Sequence, residues 1–214
     1  MENFKEKMQK SGMDTCNRWG IYEVALDGPK EGNPFTEQHV MGTFHSINET
    51  VSCEGFYDGD GIYRIRFMPS FEGEYTYQIQ TTFGKEYEGH FTAIKPKENA
   101  HGPVRVANTY HMAYEDGTPY YSIGTTCYVW ELQSDELIEQ TFDTLKNSAF
   151  NKIRFCIFPK HYDYNLHEPI TYPYEGTPCD SSVLNENNFA EYNGCAPGND
   201  WDFTRFNPAH FQHI

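Results

Sequence analysis

Between residues 22 and 94 the chain is a succession of short runs that alternate apolar and polar side chains, each closed by a turn signal. Few folds accept such a pattern. The clearest run sets Tyr63, Ile65 and Phe67 against Arg64 and Arg66. A period of two puts the rings and the isoleucine on one face of a strand and both guanidinium groups on the other, toward water or a carboxylate. Tyr22, Val24 and Leu26 share a face in the same way, and Asp27-Gly28-Pro29 then breaks the run. Asn33-Pro34 reads as a further turn, residues 40–44 and 49–53 as short strands, 75–80 as a strand after Glu72-Gly73, and 90–94 as the last before Pro96. Short strands with regular turn signals predict a sandwich or barrel. The expectation for residues 17–97 is a mainly β, immunoglobulin-like sandwich, preceded by a charged lead-in over 1–16 that is expected to fray.

Asp58-Gly59-Asp60-Gly61 carries the alternating carboxylates that open a calcium loop. It lacks the later ligands, including a bidentate glutamate at the twelfth position, and reads as a glycine-rich hairpin turn.

Residues 95–103 are polar, rich in Pro and Gly and without periodicity, which places a domain boundary near 98. Beyond it, Glu115-Asp116-Gly117-Thr118 separates 112–114 from 119–121 as a hairpin would, and 122–126 reads as the first strand of a sheet or barrel. Ser134 is placed as an N-cap, with Asp135 and Glu136 in the first turn, where the helix dipole favours negative charge. Ile138, Phe142, Leu145 and Ala149 then recur at helical spacing. Residues 153–158 are apolar and predict a strand buried on both faces of a parallel sheet. Strand, helix and strand make a right-handed βαβ unit. The expectation for 98–214 is an incomplete α/β segment of TIM-barrel type.

Ligands of such sheets gather at the carboxyl ends of the strands. Two clusters there interleave hydrogen-bonding groups with rings: Thr125-Thr126-Cys127-Tyr128-Val129-Trp130 and Pro159-Lys160-His161-Tyr162-Asp163-Tyr164-Asn165. From Pro159 to Asn207 the chain shows neither helical nor strand period, so this stretch is expected to be a long loop, either lid-like or stapled by its own aromatics Tyr172, Tyr174, Tyr192 and Trp201. Asn207 as N-cap and Pro208 at the first helical position open a last helix with Phe211 and Ile214 on one face, where the sequence ends. Residues 98–214 are fewer than half of the about 250 of a (β/α)8 barrel, so the segment reads as truncated.

Charge and composition narrow the partners. Acidic residues outnumber basic ones 31 to 16, a formal charge of −15, which argues against nucleic acid and anionic membranes. Aromatics make up 16 % of the chain and suit a ligand with an apolar face and hydroxylated edges, such as a sugar, although a ring-rich core also accounts for them. No apolar run approaches a membrane span, the N-terminus lacks the apolar core of a signal peptide, and six scattered cysteines form no C-x-x-C pair. These features predict a cytoplasmic protein with reduced thiols.

The order of several motifs then matches a known family. Arg18-Trp19-Gly20-Ile21-Tyr22-Glu23, Gly32-Asn33-Pro34-Phe35, Gly55-Phe56-Tyr57-Asp58-Gly59-Asp60-Gly61 and Arg64-Ile65-Arg66-Phe67-Met68-Pro69 resemble the β-sandwich domain of unknown function that precedes bacterial apiosidase-like glycoside hydrolase barrels. Gly124-Thr125-Thr126-Cys127-Tyr128, Phe158-Pro159-Lys160-His161-Tyr162-Asp163 and Asp200-Trp201-Asp202-Phe203 resemble the opening of that barrel. The resemblance implies a hydrolase of plant or microbial glycans, with an acid/base carboxylate after the fourth barrel strand and a nucleophile after the seventh. Both positions lie past Ile214, so no catalytic residue is expected in this chain, which is expected to be inactive by itself.

The substrate-binding candidates are Trp130, His161, Tyr162, Trp201 and Asp202, the rings for stacking on a sugar and His161 and Asp202 for its hydroxyls. Packing and loop stapling are the competing roles for each. Asp163, Glu168, Asp200 and Asp202 are expected to contact hydroxyls or hold the loop rather than form a catalytic pair. Two other readings compete: a carbohydrate-binding or interaction module without catalysis, and a metal-dependent hydrolase using His161, Asp163 and His167. No cofactor is expected. The partner is an oligosaccharide or polysaccharide, and a second copy or the remainder of the barrel is needed to cover the unfinished strands.

Overall fold

The structure, a computed structural model, describes residues 15–158 and 161–214; the first part of the lead-in and Pro159-Lys160 lie outside the described residues. The described chain divides into two compact units, one ending at Tyr121 and one beginning at Ser122.

The first unit is a β-sandwich. Strands β1 (Thr15–Asn17), β2 (Tyr22–Asp27), β3 (Val40–His45), β4 (Thr50–Glu54), β5 (Phe56–Tyr57), β6 (Ile62–Phe67), β7 (Gly73–Thr81) and β8 (Glu86–Ile94) form two sheets, in the orders β1-β8-β7-β3-β4 and β2-β6-β5. All pairs are antiparallel except β1 with β8. Residues 15 and 16 therefore belong to the sheet, not to a frayed lead-in. A single-turn helix α1 (Pro34–Glu37) stands where a turn at Asn33-Pro34 was expected, because proline is already set for the first helical position.

The alternation in β6 does what its period requires. Tyr63, Ile65 and Phe67 are buried, while Arg64 reaches Glu23 and Asp58 and Arg66 reaches Glu23. Across the core Phe44 of β3 stacks on Phe67 of β6 at 4.3 Å, and Tyr22 of β2 stacks on Phe91 of β8 at 3.9 Å. The buried tyrosines keep partners for their hydroxyls: Tyr63 donates to the Pro29 carbonyl at 2.7 Å and Tyr75 to Glu49. The turn at 58–61 holds Asp58 on Arg64.

Strands β9 (Val104–Ala107) and β10 (His111–Tyr114) form an antiparallel hairpin in the same unit, and the Pro/Gly-rich stretch 95–103 precedes it there. The turn at Glu115–Thr118 adds to it only a single bridge, Ala113 to Pro119. The sequence shows β10 but not β9, whose pairing lies toward Asn108 rather than toward Gly117.

In the second unit, β11 (Gly124–Thr126) and β12 (Lys152–Arg154) are parallel, and helix α2 (Asp135–Lys146) connects them. The Ser134 hydroxyl accepts from the Leu137 N–H at 3.4 Å, as an N-cap should, and Ile138, Phe142 and Leu145 are half-buried. Two expectations fail here. Only three residues of 153–158 and its preceding lysine pair as a strand, and none of β12 is buried, because among the described residues the pair has no flanking strand. The stretch after it is not structureless: β13 (Tyr174–Thr177) and β14 (Asp200–Phe206) pair antiparallel, with an irregular register between Tyr174 and Glu175.

Helix α3 (Pro208–His213) begins at the expected proline. Its buried residue, however, is His210; Phe211 and Ile214 stay exposed. All six cysteines are free, and no helix among the described residues is long and apolar enough to cross a membrane.

Candidate functional site

The second unit contains a small, partly open recess at the junction of the segment after β12, the β13–β14 hairpin and the loop between those two strands. Phe158, Tyr172 and Trp201 supply rings to its wall, and His161, Glu168, Asn193 and Asn199 supply polar groups. Trp201 packs on Tyr172 at 4.7 Å and edge-on to Phe158 at 5.6 Å.

Local structure explains why these groups converge. Trp201 is delivered by β14, whose register sets it opposite Gly176 of β13. Gly176 has φ +140, and a Cβ there would lie 2.0 Å from the Asp200 carbonyl oxygen, so the hairpin needs glycine at this point. Gly194 lets the loop lie against the Phe158 ring, which a Cβ would approach to 2.5 Å. Asparagines replace regular structure in that loop: Asn199 accepts from the Cys179 N–H at 2.7 Å and donates to the Asn193 carbonyl at 2.9 Å.

His161 is 8 % exposed. Its Nδ1 lies 2.8 Å from the Tyr192 carbonyl oxygen, which can only accept, so Nδ1 is the donor of that bond. Nε2 has no hydrogen-bond partner and stands 3.4 Å from Glu168 Oε1. Glu168 is held by the hydroxyls of Tyr172 and Ser181. Burial, and then the bond to Glu168, push the Tyr172 phenol far above its ordinary range, so it stays a donor. Trp201 Nε1 is likewise buried without a partner. The recess thus sets two buried ring nitrogens without hydrogen-bond partners beside one fixed carboxylate and among aromatic rings.

The structure brings His161 and Trp201 together and leaves the other candidates elsewhere. Trp130 lies in a 3-10 turn, edge-on to Phe142 of α2 at 5.1 Å and to Phe155 at 5.8 Å. Tyr162 is the middle of a stack, 5.7 Å from Tyr128 and 5.3 Å from Tyr164, with its phenol pushed up to about 12, first by burial and then by the contact with Cys156. Asp202 accepts from the Thr204 hydroxyl at 2.6 Å and its N–H at 2.9 Å, bonds that lower its pKa and tie it to its own strand. Among the described residues no group of three or more His, Cys, Asp or Glu is gathered to hold a metal ion, so His161, Asp163 and His167 do not converge. Of the four carboxylates considered, Glu168 is the one in the cavity wall.

Sequence reasoning missed the hairpin. Trp201, Phe203 and Arg205 do alternate with Asp202 and Thr204, but the partner strand Tyr174–Thr177 is too short and too glycine-dependent to register. It also missed two buried titratable groups, Glu131 and His210. Glu131 is 1 % exposed with both carboxylate oxygens unpaired, and burial raises its pKa.

A β-sandwich followed by a βαβ unit with a ring-walled polar cavity is the class that fold and site define. Residues 15–82 match the family described as Domain of unknown function (DUF5060). Over 94 % of its length the chain is similar to a "putative glycoside hydrolase" from Bacteroides vulgatus ATCC 8482, at 35 % identity and a TM-score of 0.80. The chain spans 38 % of that structure's length. The Lin-41 filamin domain aligns at 18 % identity and a TM-score of 0.31, over 38 % of this chain and 84 % of that one. No curated protein matches the chain.

Proposed function

We propose that the chain is the sandwich and the opening strands of an apiosidase-like glycoside hydrolase barrel, and that its second unit holds part of a glycan without cleaving it. The observation that carries the reading is the cavity with its two unsatisfied groups, Trp201 Nε1 and His161 Nε2. A buried polar atom without a partner costs about 1–3 kcal/mol. Sugar hydroxyls, which both donate and accept, can serve either group, while the rings cover an apolar sugar face. The 35 % identity to a protein named as a glycoside hydrolase supports the same class.

Holding rather than cleaving follows from the carboxylates. Glycoside hydrolysis uses two, about 5 to 5.5 Å apart for retention or 6.5 to 9.5 Å for inversion. Among the described residues the cavity wall supplies only Glu168, already committed to Tyr172 and Ser181.

Calorimetric titration of neutral oligosaccharides into the chain and into Trp201→Ala tests the reading, with release of reducing ends assayed in parallel. Binding weakened at least tenfold in the variant, without release, is expected. Equal binding by both proteins overturns the site, and turnover by the chain overturns the holding role.

A further inference from the structure

We propose that Tyr164, the open end of a stack of three tyrosines in the second unit, is a platform on which the apolar face of a pyranose ring lies. The platform rests on the glycan reading and adds a place for a whole sugar ring, outside the small recess at Trp201.

The stack is built from the parallel pair outward. Beyond the ends of β11 and β12 the two segments stay hydrogen-bonded, the Cys127 N–H to the Arg154 carbonyl at 2.8 Å and the Cys156 N–H to the Tyr128 carbonyl at 3.3 Å. Tyr128 is thereby fixed at the carboxyl end of the pair, where ligands of such sheets gather, and the Arg154 guanidinium lies over its ring at 5.5 Å. Tyr162 stacks on Tyr128 with ring planes 3° apart, and its hydroxyl meets the Cys156 thiol at 3.9 Å. Tyr164 stacks on Tyr162 in turn, 12° from parallel. A tight turn sets that second contact, because Tyr162 and Asn165 exchange backbone hydrogen bonds at 3.0 and 2.9 Å. Asn165, 4 % exposed, anchors the turn by accepting from Gln133 Nε2 at 3.0 Å.

Tyr162 is half-buried inside the stack, whereas Tyr164 is 67 % exposed, and among the described residues Tyr162 is the only ring packed on it. One face of the Tyr164 ring is therefore bare while the ring is held in place. Single exposed apolar side chains are ordinary on a protein surface. A ring already fixed by a turn and a stack differs from them, because a ligand that lands on it has little left to order. The axial C–H groups of a gluco- or xylo-configured pyranose make a flat apolar face with the hydroxyls at its rim, which suits an aromatic ring with a polar tip. A cation also binds ring faces, but sites built for one wrap several rings around the charge, and Tyr164 offers a single face.

Calorimetric titration of cellohexaose and xylohexaose into the full chain and into Tyr164→Ala, Tyr164→Phe and Trp201→Ala tests the platform, with choline chloride as the cationic control. Tyr164→Ala is expected to bind both saccharides at least about tenfold more weakly than wild type, and Tyr164→Phe to stay within about threefold of it, because the ring rather than its hydroxyl makes the contact. In proton NMR the axial protons of the sugar are expected to move upfield on binding to wild type and to lose that shift with Tyr164→Ala. Wild-type affinity in Tyr164→Ala beside weakened binding in Trp201→Ala overturns the platform and leaves the glycan reading standing. Equal losses in Tyr164→Phe and Tyr164→Ala overturn stacking as the cause. Choline binding as tightly as the saccharides overturns the sugar as occupant. If Tyr164→Ala does not fold, the wild-type spectrum decides, and binding without an upfield shift overturns the platform. Absence of binding of both saccharides to wild type overturns the glycan reading itself, and the platform with it.

Discussion

The imidazole of His210, which has no exposed surface, donates from Nε2 to the backbone carbonyl of Ile157 at 3.0 Å and so ties α3 to the segment that follows β12. Its Nδ1 lies 3.0 Å from the Thr171 hydroxyl, which can donate to it when the ring is neutral.

Acid should therefore loosen this helix. Burial lowers the His210 pKa from 6.5 and His213 adds to the lowering, while bonds to Ile157 and Thr171 oppose part of it. The unfolded chain then takes up the proton more readily than the folded one, so the residue's contribution is intact above pH 6.5 and is lost as the pH falls below it. Urea midpoints at pH 7.5 and 5.5 should differ more for wild type than for His210→Gln. Identical pH dependence in the two proteins would contradict the assignment. At pH 7.5 the variant should lose roughly 1–3 kcal/mol.

Glu131 should behave with the opposite sign. Burial raises its pKa above 4.5, offset in part by its own backbone N–H and by His213. The folded chain then holds the proton more tightly than the unfolded one, and the stability it lends declines as pH rises from 4.5 through the raised value. Glu131→Gln should therefore be more stable than wild type at pH 8, by roughly 1–3 kcal/mol, with the difference narrowing toward pH 5. Thermal unfolding across that range would show it, and a variant less stable at pH 8 would refute it.

The β13–β14 hairpin should depend on one glycine. At φ +140, with 2.0 Å from a Cβ to the Asp200 carbonyl, Gly176→Ala forces the strands apart at a cost of roughly 1–3 kcal/mol. Since Trp201 sits opposite Gly176, its fluorescence should shift toward that of an exposed indole and saccharide affinity should fall. Unchanged fluorescence and affinity would mean that the hairpin does not place the ring.

Asp116 offers a check on the first unit. The His101 ring bonds its Oδ2 at 2.7 Å and the Thr118 N–H its Oδ1 at 2.9 Å, which together bring its pKa to about 2, the His101 bond contributing most. Carboxyl carbon NMR should show a midpoint near 2 that returns toward 3.8 in His101→Ala. Because the folded value is depressed, the associated stability is present above pH 3.8 and lost below it.

Strands β2, β3, β6, β7 and β8 were legible in the sequence because a strand with one buried face must alternate, whatever its partners are. The N-cap Ser134 was legible for a similar reason, since its hydroxyl serves an N–H three residues away. Within the site, the sequence singled out His161 and Trp201 by residue type, but type alone could not separate them from Trp130, Tyr162 and Asp202, which the structure directs into packing, a tyrosine stack and a local turn. The depth of Glu131 and His210, the orphaned Nε2 of His161 beside Glu168, and the hairpin that carries Trp201 were decided only by tertiary structure. The contacts of His161 with Glu168, of His210 with Thr171 and Ile157, and of Trp201 with Gly176 join residues 7 to 53 positions apart, and Glu131 meets His213 82 positions away. Periodicity records what a residue's immediate neighbours require, whereas burial and hydrogen-bond satisfaction are set by whichever distant segment folds against it.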